Sequence, residues 1–144
     1  MKKLCGVAAI GAAFVLGFLA RGVVPMEPVA HAQSARIFEL RTYTAPEGKL
    51  GELHARFRDH TLRIFKKHGM ENIIYFAPQD APLSQNTMIY LLAHPSREAA
   101  DKNWAAFGKD PEWQKVAQET QVNGKIVAKV DRIFLTATDY SPTK

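Results

Sequence analysis

Two hydrophobic periods alternate along this chain, one of two residues and one near 3.6, and their order leaves few folds open. Arg36 to Tyr43 has the strand period. Phe38 and Leu40 fill one face, while Glu39, Arg41 and Tyr43 share the other with Ile37. Pro46, Glu47 and Gly48 then turn the chain. Leu50, Leu53, Phe57, Ile64 and Phe65 follow in steps of three and four, the stripe of an amphipathic helix of about 20 residues. Lys66, Lys67 and His68 suit the negative pole of that helix, and Gly69 stops it. Asn72 to Phe76 reads as a second strand. Beyond the polar loop Pro78 to Asn86, Thr87 to His94 is a third, so continuously apolar that both its faces should be buried. Ser96 caps a second helix through Trp104 to Phe107, which Gly108 breaks. Asp110-Pro111 starts another, with a capping side chain and a proline at the first helical position. It carries Trp113 and Val116 and fades near Asn123-Gly124, and Lys125 to about Thr138 is the last strand. The order β-α-β-β-α-β predicts an α+β, ferredoxin-like domain: one antiparallel sheet with helices on a single face.

Helices on one side leave the other side of the sheet bare. On the last strand Val127, Ile133 and Leu135 alternate with Ile126, Val130 and Phe134, so both sides carry large apolar groups. An apolar patch of this kind marks an interface, and the economical solution is two sheets packed about a two-fold axis. A homodimer is therefore expected, with Glu39, Arg41 and Tyr43 enclosed rather than facing water.

The first 32 residues read as an address. Lys2 and Lys3 precede an uncharged apolar run, Leu4 to Ala20, and Ala30-His31-Ala32 is a signal-peptidase pattern with cleavage before Gln33. The run of 17 residues is shorter than the roughly 20 of a comfortable membrane span. An uncleaved anchor is the alternative, and only in that case is a membrane a partner. The expected organisation is a signal peptide over 1–32 and one domain over 33–144, exported to the periplasm or secreted. Cleavage removes Cys5, the only cysteine, and with it any thiol nucleophile. It also leaves 16 basic and 13 acidic residues, less basic than the whole chain at +5. No dense Lys/Arg tract tracks phosphates, so nucleic acid is not an expected partner.

Glu39, Arg41 and Tyr43 on one strand face can bind a polar ligand, with Arg41 as an anion clamp and Tyr43 as a donor. The competing reading is a Glu–Arg pair that satisfies itself inside a dimer interface. Trp104, Phe107 and Trp113 can roof an apolar pocket or be plain core. Tyr75 and Tyr90 can complete its wall or simply pack. His60, placed between Phe57 and Ile64, is a candidate base or haem ligand, or else a core-edge histidine. No His-Glu-x-x-His motif, nucleophile elbow or Gly-rich phosphate loop is present, and no metal site is expected.

Phe38-Glu39-Leu40-Arg41-x-Tyr43, Glu47-Gly48-Lys49, His68-Gly69-Met70, Trp104-x-x-Phe107, Asp110-Pro111-Glu112-Trp113 and Thr138-Asp139-Tyr140-Ser141-Pro142 together resemble the NIPSNAP family. The resemblance runs from about Ile37 to Pro142 and implies a dimeric α/β barrel. Relatives of that fold include cofactor-free monooxygenases, haem-binding enzymes, degradation enzymes and proteins without known chemistry, so the resemblance implies a pocket rather than a reaction. The expectation is an exported homodimer that binds a small, largely apolar ligand with an anionic or phenolic handle, with cofactor-independent oxidation or isomerisation as its chemistry. No cofactor is expected, haem being the lesser alternative. The rival expectation is a non-enzymatic interaction module built on a dimer core.

Overall fold

The computed structural model describes residues 36–143. The expected signal peptide, its cleavage point and the alternative anchor lie outside these residues. Four strands, β1 (Ile37–Thr44), β2 (Glu71–Phe76), β3 (Thr87–His94) and β4 (Lys129–Thr136), form one antiparallel sheet in the order β2-β3-β1-β4. The helices are α1 (Leu50–Arg56), α2 (Leu62–Lys67), α3 (Arg97–Lys109) and α4 (Pro111–Glu119). This is the ferredoxin-like α+β arrangement, and the two strands richest in buried residues, β1 and β3, are the central ones.

One face of the sheet meets the helices. Tyr43, Met88, Tyr90 and Leu92 pack there against Leu53, Phe57, Ile64, Phe65, Met70, Phe107, Val116 and Ile126. Register puts Glu39 opposite Leu92, Arg41 opposite Tyr90 and Tyr43 opposite Met88, so the polar row of β1 lies on this same covered face. The other face pairs Leu40 with Leu91 and Ile133, and Phe38 with Leu135. There Ile74, Phe76, Ile133 and Leu135 remain 41–56% exposed. The polar row was expected to owe its shelter to a second subunit or to sit in a dimer interface. Instead it is enclosed by the helices of its own chain.

Three local departures from the sequence reading have physical causes. First, the expected long helix is continuous but contains a π-helical segment, Phe57–Thr61, between α1 and α2. The extra residue in that turn makes Thr61 an inward residue and leaves His60 half-buried. Second, Gly108 does not break α3, which runs on to Lys109. The break falls at Asp110, whose extended backbone (ψ 121°) suits a residue ahead of proline. Third, β4 begins at Lys129 rather than Lys125, because Ile126 turns into the core and Val127 packs beside it. Only Val130 to Leu135 keep the expected alternation.

At Gly69 the chain takes a left-handed conformation (φ 72°), with Met70 N donating to Phe65 O at 3.0 Å, and this ends α2. Beyond it Asp110 ties two elements together. Its buried carboxylate accepts from Lys67 Nζ at 2.7 Å and lies 2.5 Å from His68 Nε2 while capping Glu112 N at 2.8 Å.

Candidate functional site

Glu39 is the hub of the covered face. Fully buried, its Oε2 accepts from Trp104 Nε1 at 2.7 Å and from His94 Nε2 at 2.9 Å, and its Oε1 accepts from Arg41 Nη1 at 2.8 Å. Burial pushes this carboxyl up, but the bonds from His94, Trp104 and Arg41 outweigh it and hold it below the ordinary glutamate range. An ionised carboxylate only accepts, so His94 carries the proton on Nε2 in this contact. Its Nδ1 is buried without a partner.

Arg41 is committed twice. One nitrogen holds Glu39, and its guanidinium carbon stands 4.0 Å from the centre of the Trp104 ring, a cation–π contact. The free anion clamp expected from the sequence is therefore already paired, although its buried Nε has no partner. Beyond it stand the phenols. Tyr90, with no exposure, stacks on Tyr75 at 5.2 Å and meets Tyr43 edge-on at 5.3 Å. Burial, followed by the neighbouring Tyr43, raises both the Tyr75 and the Tyr90 phenol, so each is a protonated donor at neutral pH. Tyr75 uses its hydrogen on Asn72 Oδ1, whereas Tyr90 Oη has no partner of good geometry among the described residues.

Arg56, at the end of α1, is 5% exposed and forms no ion pair among the described residues. Its guanidinium carbon lies 5.2 Å from the centre of the Trp113 ring, and its Nε is buried and unpartnered. Desolvation lowers its pKa, with Tyr43 and Tyr90 the opposing neighbours, yet an arginine remains charged. A buried cation without a counter-charge costs on the order of several kcal/mol. Arg56 also lines a cleft of about 280 Å³ that includes Ala55, His60, Thr120 and Val122.

Of the sequence-predicted site residues, the structure brings Glu39, Arg41, Tyr43, Tyr75, Tyr90 and Trp104 together under the helices. Trp113 joins through Phe107 (4.3 Å) and Arg56. His60 does not join them. It stands in the wall of the cleft instead. Trp104 and Phe107 are bound into the core through Phe65, and Trp113 through Phe107, so the core reading holds for all three. Arg56 and His94 were missed. Arg56 follows Leu53 by three residues, on the apolar stripe where a charge is out of place. His94 is in phase with Tyr90 and Leu92 on an almost wholly apolar strand.

Neither histidine suits haem. His60 borders a cleft just under the ~300–1,000 Å³ usual for ligand sites, and His94 is fully enclosed with Nε2 held by Glu39. Among the described residues no cluster of three or more His, Cys, Asp and Glu could hold a metal ion, and no helix is long and apolar enough to cross a membrane.

The NIPSNAP family model matches residues 38–142, nearly all of the described chain. The chain belongs to the NIPSNAP family. Among solved structures, two NIPSNAP family proteins from Agrobacterium tumefaciens share its fold. One is 20% identical (TM-score 0.67, covering 79% of this chain and 98% of that one), and the other is 24% identical (TM-score 0.66, 76% and 99%). SnoaB, a cofactor-independent oxygenase from Streptomyces nogalater, is more distant: 12% identical, TM-score 0.51, covering 75% and 98%. Identities this low show a shared fold alone. No curated protein matches the chain.

Proposed function

We propose that this NIPSNAP protein is exported, forms a homodimer through the open face of its sheet, and binds a small, largely apolar ligand with an anionic or phenolic handle between helices and sheet. One observation carries the binding reading. Arg41 Nε and Tyr90 Oη, on directly paired residues of β1 and β3, are buried among aromatic rings with no partner of good geometry among the described residues. Native interiors rarely leave such groups unpaired, and a bound ligand is one species that satisfies them. Cofactor-independent oxidation or isomerisation is chemistry this reading accommodates, and SnoaB supplies a precedent on the same fold. The dimer is supported by the exposed Ile74, Phe76, Ile133 and Leu135 on one face. Export rests on the leader pattern of residues 1–32.

The rival reading, a protein-interaction module, draws on the close aromatic packing of the interior, where Phe57, Phe65, Tyr90, Trp104 and Phe107 contact one another at 5.0–6.0 Å. Thermal unfolding of residues 33–144 against a panel of hydrophobic metabolites and haem separates the two. Ligand binding predicts a saturable rise in melting temperature for aromatic anions or phenols. No rise with any member of the panel would leave the interaction module standing.

A further inference from the structure

The buried charges beneath the helices do not balance. Glu39 contributes one negative charge, whereas Arg41 and Arg56 contribute one positive charge each. Asp110, the other buried carboxylate, is engaged with Lys67 and His68. Tyr90 supplies no phenolate, because burial holds its proton. Of these groups Arg56 is the cation without an ion-pair partner among the described residues, and its buried Nε is also unpartnered. Arg41 has spent its charge on Glu39.

We propose that Arg56 is the anion anchor of the site and takes the carboxylate of a small aromatic monoanion. This rests on the ligand-binding reading above and moves the anchor from Arg41 to Arg56. Three features select the ligand. Arg56 presents a planar donor set that matches a carboxylate, and Nε is among its free donors. Its neighbours are aromatic: Trp113 under the guanidinium and the Tyr43 and Tyr90 phenols close enough to influence its charge. The cleft it lines, at about 280 Å³, admits a single-ring molecule rather than a large cofactor. Glu52, Asp59 and Glu119 also border the cleft, and none forms an ion pair with Arg56. Glu52 is held by Lys49 and Glu119 by Lys115. These exposed carboxylates act through water and weakly, but they disfavour a second negative charge on the ligand.

Calorimetric titration of residues 33–144 with benzoate and with its neutral isostere benzamide tests the assignment, using the parent, R56M and R56K. The parent is expected to prefer benzoate by about tenfold or more. R56M should bring the preference near unity, and R56K should restore part of it. The melting temperature of unliganded R56M should hold or rise, since the substitution removes an unpaired buried charge. Equal binding of benzoate and benzamide by the parent would overturn the anion assignment and leave an apolar pocket in place. A benzoate preference that survives in R56M would overturn the role of Arg56, the more so if that variant melts lower. Binding of neither probe would also overturn the inference, while the metabolite panel decides separately whether any small molecule binds.

Discussion

At the scale of single residues, the protein combines one fully satisfied buried carboxylate with four buried polar atoms that lack partners among the described residues. Glu39 draws donors from an arginine, a histidine and a tryptophan, as a buried carboxylate must if it is to stay charged. Tyr90, opposite Arg41 on the neighbouring strand, keeps a hydroxyl with no hydrogen-bond partner of good geometry among the described residues. Tyr90→Phe should therefore leave the urea midpoint unchanged or raise stability by about 1 kcal/mol. A loss of similar size would reveal a bond at Oη that the folded chain depends on. Polar identity was legible here, since the Glu39, Arg41 and Tyr43 alternation names the row. Which arginine is free was not legible, because pairing depends on what the helices bring over the strand.

At the scale of elements, spacing and caps read well wherever local chemistry decides. Ser96 accepts from Ala99 N at 3.1 Å, and Asp110 with Pro111 opens α4 as their order implies. The π segment was not legible, and it alone moves His60 off the stripe and into the cleft wall. Asp110 also clamps the end of α2 to the start of α4 through Lys67 and His68, and these two hold its carboxyl well below the usual aspartate range. A group whose folded pKa is depressed stabilises above its unfolded pKa, near 3.9, and loses that contribution as pH falls through the folded value. Melting temperatures between about pH 2 and pH 7 should thus decline more steeply below pH 4 for the parent than for D110N, which keeps a capping side chain but not the charge. Parallel declines would show that the clamp contributes no pH-dependent stability.

At the scale of the whole molecule, the β-α-β-β-α-β order was sufficient to specify the sheet, because short connections and antiparallel pairing leave little else. It did not reveal which face α1 to α4 cover, since Phe38 and Leu40 are as apolar as the opposite face is polar. The chain turns the polar row inward beneath helices that carry Phe57, Phe65 and Trp104, and leaves an apolar face exposed. If each subunit encloses its own ligand site, disrupting the open face should not disturb binding. I133D combined with L135D places two charges on that face. Trp113 lies 5.2 Å from the Arg56 guanidinium, and the chain's other tryptophan, Trp104, stands over Arg41, so tryptophan emission reports on the surroundings of Arg56. Light scattering should show the variant as a monomer, and its tryptophan emission should respond to benzoate with the same midpoint as the parent. A response present in a dimeric parent and absent from the monomer would contradict a site built within one subunit.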